Sequence, residues 1–173
     1  MATPKSLLIR IRLMLAFFML ALVVSGITAF PLKSELHLLN QYFGQGTAFG
    51  EQFSDAANYL KYIQEGLDKN AAQFPFMSYG TDWLAFAHIV IAIAFIGPFR
   101  DPVRNIWVTQ FGMICCILVF PLAMICGTIR GIPMAWQLID CSFGFFGLFP
   151  LLLVYKWTKE LEGNRQEGIG NGE

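Results

Sequence analysis

Two ionisable side chains, His88 and Asp140, lie inside stretches that are otherwise hydrocarbon-like. Within a bilayer such a group is costly, so by default it marks a functional site. A carboxylate held under an arginine stays ionised, and a nearby histidine can then accept or pass a proton. Arg130, in the short segment 127–133, is the arginine placed to reach Asp140. Asp82, Trp136 and Gln137 stand close in sequence to one or other of these groups. Together Asp82, His88, Arg130, Trp136, Gln137 and Asp140 are expected to line one polar pocket at the outer membrane face. Such a pocket would grip a small polar head group. The duller alternative is that Asp140, Arg130 and His88 only pin helices together, at about 0.6–2 kcal/mol per interhelical contact.

The depth of the pair follows from the tryptophans, which collect at membrane interfaces. His88 is five residues beyond Trp83, ~7–8 Å along a helix axis, and Asp140 is four beyond Trp136, ~6 Å. An imidazole and a carboxylate are therefore expected at one level, on two helices that can be neighbours.

Four apolar runs must position them, at 13–30, 83–99, about 106–127 and about 133–155. Hydrocarbon cannot satisfy free backbone polar groups, so each run is read as a helix. The first, behind Lys5, Arg10 and Arg12, resembles a signal peptide but exceeds the usual ~7–15 residue apolar core, which favours an uncleaved anchor. Pro121 predicts a kink in the third, and Gly144, Gly147 and Pro150 predict close helix approach in the fourth. Eight basic residues (Lys5, Arg10, Arg12, Arg100, Arg104, Lys156, Lys159, Arg165) fall on one side of this topology. Only Lys33, Lys61, Lys69 and Arg130 fall on the other, so both termini are expected in the cytoplasm.

Residues 31–81 then lie outside, with helices expected at 32–43 and 52–72. In the second, Phe53, Ala56, Ala57, Leu60, Ile63 and Leu67 recur at helical spacing, and Ser54 or Asp55 is the expected cap. Lacking a polybasic face, this segment is read as a cap over the bundle mouth rather than a surface-lying helix. Asp101-Pro102 predicts a turn that caps the third span. The fold class is thus an all-α membrane protein: a four-transmembrane-helix bundle with an extracytoplasmic helical cap between spans 1 and 2. It forms one domain over 1–162, and the Gly/Asn/Glu-rich stretch 163–173 reads as a disordered tail.

Composition narrows the function classes. Hydrophobic residues make up 55% of the chain and charged residues 14%, far from a soluble domain. Net charge is zero, which offers nucleic acid no basic field. The cysteines, Cys115, Cys116, Cys126 and Cys141, sit in the spans with no CxxC or Cys/His metal spacing, and read as buried hydrophobes. No metal site is expected and no cofactor can be assigned. A b-type haem would need both histidines, His37 and His88, to face it, and stands as a further alternative.

Two stretches carry a likeness. Thr81-Asp82-Trp83-Leu84-Ala85-Phe86-Ala87-His88 continues to Arg100-Asp101-Pro102-Val103-Arg104-Asn105, and Arg130-Gly131-Ile132-Pro133 leads to Leu138-Ile139-Asp140-Cys141. These resemble small four-span bacterial membrane proteins that have no assigned activity. The resemblance implies the topology and a bacterial inner-membrane setting, and it brings no ligand. The expectation from the residues is a non-enzymatic integral membrane protein that binds a lipid-like or quinone-like ligand, or a partner membrane protein. Membrane lipids, a homo-oligomer or a larger membrane complex are its expected partners. A proton-coupled component or membrane enzyme using His88 and Asp140 is the alternative.

Overall fold

The computed structural model describes residues 3–170, with side chains described for 3–166. Among the described residues the chain is all-helical, in the order α1 (Pro4–Ala29), α2 (Leu32–Phe43), α3 (Ala48–Gln52), α4 (Ser54–Gln73), a 3₁₀ turn (Pro75–Ser78), α5 (Tyr79–Ala94), α6 (Ile96–Arg100), α7 (Ile106–Ile129) and α8 (Met134–Gly170). Four stretches are long and apolar enough to cross a membrane: Pro4–Ala29, Pro75–Arg100, Ile106–Ile129 and Met134–Gln166. The second begins at Pro75 rather than Trp83, since proline suits the first helical positions. α7 runs unbroken through Pro121. α8 takes in residues 163–170 of the segment read as a tail, and 171–173 lie outside the described residues.

The chain divides into two compact units, Met1–Ala21 with Ala92–Glu173, and Leu22–Ile91. In the first unit, one face of α1 supplies the buried Leu7, Ile11, Leu15 and Phe18, spaced as a helix requires. Leu151, Val154 and Leu161 do the same from α8, and Phe95 meets Phe18 with ring centroids 4.8 Å apart. The glycines of α7 and α8 let these two helices close up. A methyl at Gly144 would lie 2.6 Å from the Cys116 carbonyl oxygen, one at Gly147 2.9 Å from Cys116 Sγ, and one at Gly112 2.6 Å from the Phe95 ring. The close approach expected at Gly144 and Gly147 is found there.

Between α7 and α8 the chain reverses through Gly131, which has φ +67°. Ile132 N–H donates to Gly127 O (2.9 Å) and Gly131 N–H to Thr128 O (3.1 Å). This is the Schellman pair, which satisfies the last free carbonyls of a helix. At the other end of this unit, Arg12 donates to the carbonyls of Phe99 (3.2 Å) and Arg100 (3.4 Å), answering the negative end of α6. The cap expected from Asp101 on α7 is absent. Asp101 instead closes its own turn by accepting from Arg104 N–H (3.2 Å), while Asn105 donates to the carbonyls of Gly97 and Asp101. Arg165 lies 3.9 Å from Asp101.

In the second unit α2 and α4 pack through Leu36, Ala57 and Leu60. Asn40 ties them by donating to the carbonyls of Leu36 and Leu60, both at 3.2 Å. Neither Ser54 nor Asp55 caps α4, whose N-cap is Phe53. The cap falls one element earlier, where the Thr47 hydroxyl accepts from Gly50 N–H (3.0 Å) and starts α3. α1 and α5 approach closely at Gly26, where a methyl would lie 2.8 Å from the Ala85 carbonyl oxygen.

Candidate functional site

α5 opens directly after the 3₁₀ turn, and its first two turns place Tyr79, Asp82, Trp83 and Phe86 at spacings of three and four. Such spacing puts all four on one helical stripe. With Phe30, at the end of α1, they line an open cleft of about 310 Å³. The rings brace one another edge to face. Tyr79 and Trp83 have centroids 5.9 Å apart at 81°, and Trp83 and Phe86 are 5.9 Å apart at 88°. Pairs of this geometry contribute about 0.5–1.5 kcal/mol beyond their burial, which holds the cleft's wall in shape. The Asp82 side chain makes no hydrogen bond or ion pair among the described residues, so its carboxylate keeps its full capacity to accept.

His88 belongs to the same unit but to another face. Six residues at ~100° each rotate it about 120° from Asp82, and ~9 Å along the axis. There it packs where Gly26 leaves room, with its Cβ 3.1 Å from a methyl built on that glycine. His88 Nδ1–H donates to the Leu84 carbonyl at 2.8 Å. The other histidine, His37, accepts from the Gln64 amide (2.8 Å) and lies 3.5 Å from Asp68 in the α2–α4 seam.

No family model matches the chain, and no curated protein or solved structure is significantly similar to it.

Arg130, Trp136, Gln137 and Asp140 belong to the unit that holds α7 and α8, whereas Asp82 and His88 belong to the other. Gln137 is 3% exposed, and its amide joins the reversal together. Nε2–H donates to the Ile132 carbonyl (2.7 Å), Oε1 accepts from the Thr128 hydroxyl (3.4 Å), and Gly127 gives it space. Trp136 is half-buried beside it, its backbone N–H donating to the Pro133 carbonyl (2.9 Å). Arg130 and Asp140 are both exposed and form no ion pair with each other. Arg130 sits at the C-cap of α7, while Asp140 is six residues into α8, ~9 Å down its axis. The reach expected of Arg130 is not made.

Sequence reasoning took Trp83 as a depth marker and passed over Phe30, Tyr79 and Phe86. The signal that finds them is the aromatic stripe around Asp82, spaced 79, 82, 83, 86. A second cleft of about 320 Å³ is lined by Asn40, Gln45, Lys61, Gln64, Glu65 and Asp68. Its groups are engaged with near neighbours: Lys61 donates to Gln45 (3.2 Å), Gln45 to Asn58 (2.5 Å), and Lys33 meets Asp68 at 2.9 Å. No cluster of three His, Cys, Asp or Glu side chains occurs among the described residues.

Proposed function

We propose that the protein is a multi-pass membrane protein of a bacterial inner membrane, binding a lipid-like amphiphile without transforming it. Both termini lie in the cytoplasm and residues 31–81 lie outside, a reading supported by eight of the twelve Lys and Arg falling on one side. The observation that carries the binding role is the cleft of Phe30, Tyr79, Asp82, Trp83 and Phe86. It joins one carboxylate to four rings at the start of an apolar stretch, where head groups meet acyl chains. Below it, Val24, Ile27 and Val90 are exposed, so a hydrocarbon tail has apolar surface to follow. Native mass spectrometry of detergent-purified protein tests this. A saturable lipid adduct lost in Trp83→Ala is expected, and purely non-saturable adducts would overturn the reading.

Asp140 favours a second role. An exposed carboxylate two turns into an apolar helix has no partner among the described residues, and such groups almost always face protein or water rather than lipid. In this reading a second copy, or another membrane protein, covers it. Asp140→Leu should then change the assembled mass in mild detergent, and an unchanged mass would remove the reading.

A further inference from the structure

We infer that the cleft of Phe30, Tyr79, Asp82, Trp83 and Phe86 selects an ammonium-bearing head group, an inference that rests on the amphiphile reading and specifies its ligand. Four of the five lining residues are aromatic and the fifth is a carboxylate. Ring faces carry negative potential and attract a cation, and quaternary ammonium groups are the ligands that aromatic cages hold. The carboxylate adds attraction of the same sign. No Lys or Arg lines the cleft, and none occurs in the chain between Lys69 and Arg100. An anionic head group would therefore meet only repulsion. A quinone ring would stack on the aromatics and gain nothing from Asp82.

The carboxylate is uncommitted. A salt bridge to a neighbouring lysine would have made Asp82 a structural group, but its side chain has no partner among the described residues. Asp82 also lies in the first turn of α5, where a negative charge favours the helix. Three of the four rings, Tyr79, Trp83 and Phe86, are held by one another rather than by the ligand, so that wall of the cleft is shaped before anything enters it.

An ammonium group can come from a phospholipid head or from a free organic cation. The test therefore uses the full chain in non-ionic detergent. Native mass spectrometry follows competition among phosphatidylethanolamine, phosphatidylcholine and phosphatidylglycerol of identical acyl chains, with a quinone as a fourth competitor. All three phospholipids carry the phosphate, so a preference isolates the ammonium. The expected result is that the two ammonium lipids outcompete phosphatidylglycerol and the quinone by roughly tenfold, within the range of a cation held by rings and a carboxylate. Asp82→Asn and, independently, Phe86→Leu should erase that preference while circular dichroism stays unchanged.

Tetramethylammonium, added in excess, distinguishes the sources. Displacement of the lipid means that the cation alone suffices, and persistence means that the whole lipid is required; the ammonium assignment holds in both. Equal binding of all four competitors, or a preference for phosphatidylglycerol or the quinone, overturns the ammonium inference and leaves the amphiphile reading standing. A preference that survives both substitutions overturns the assignment to this cleft. No saturable binding of any competitor overturns both.

Discussion

Gly26 of α1 and His88 of α5 meet so closely that a methyl on the glycine would lie 3.1 Å from the histidine Cβ. The same methyl would lie 2.8 Å from the Ala85 carbonyl oxygen, a backbone atom that cannot turn aside. A side chain here must push the helices apart. Replacing a helical glycine with alanine recovers about 1 kcal/mol of helix propensity, which offsets part of that cost. Gly26→Ala is therefore expected to be mildly destabilising, and the bulkier Gly26→Val to lose about 1–3 kcal/mol by overpacking. Thermal unfolding in detergent checks the contrast. Equal stability of wild type and Gly26→Val would show that the contact is not tight.

Gln137 and Asp140 sit three residues apart on α8 with opposite standing. Gln137→Leu should cost about 1–3 kcal/mol, because it leaves the Ile132 carbonyl without its 2.7 Å donor. Asp140→Asn should leave the isolated chain's stability unchanged, since the carboxylate is exposed and unpaired. Unfolding of both variants in the same detergent decides this. Asp140→Asn proving the more harmful would mean that the carboxylate has a structural partner.

Gly131 adopts φ +67° in the reversal between α7 and α8. A side chain in that region costs about 1–2 kcal/mol. Gly131→Ala should therefore lower stability by that amount, and Gly131→Asn by less, because asparagine tolerates the conformation. The same melting measurement checks the order.

The α2–α4 seam carries the chain's clearest pH dependence. The Lys33 ammonium 2.9 Å from Asp68, with His37 at 3.5 Å, holds the Asp68 carboxyl below the usual carboxylate range. A depressed value in the folded state means that this stabilisation is complete above the unfolded carboxyl pKa, about 3.9, and is lost as pH falls through the lower folded value. Hydrogen exchange should show equal protection of α2 and α4 from pH 7 to 5, then a drop below about pH 4 that Asp68→Asn abolishes. A drop already complete between pH 7 and 5 would show that Asp68 does not carry the dependence.

Hydropathy alone located the four long helices, and the punctuation by Pro31 and Gly44 bounded α2 at Leu32–Phe43 as expected. Rotation was less legible. α7 and α8 are apolar nearly all round, so nothing in composition says that Gln137 turns inward and Asp140 outward. Depth along an axis follows from counting residues, but facing depends on which side a neighbour packs. His88 shows this: its proximity to Gly26 was not readable. Glycines that meet a neighbouring helix, such as Gly144 and Gly147, were readable because small residues there have one common use. The cleft around Asp82 was missed because aromatic residues at a span's start were read as interface markers, although their spacing of three and four also makes a wall.

The most direct test places a photo-crosslinking phenylalanine analogue, which keeps the ring, at Phe86 inside the cleft and at Ile117, an exposed position of α7 outside it. Irradiation in detergent with substoichiometric phospholipid, followed by intact-protein mass spectrometry, reads the occupant. The expected result is a lipid adduct at residue 86 that competing ammonium lipid suppresses, with little at residue 117. Equal labelling at both positions, or labelling that no competitor reduces, would contradict it.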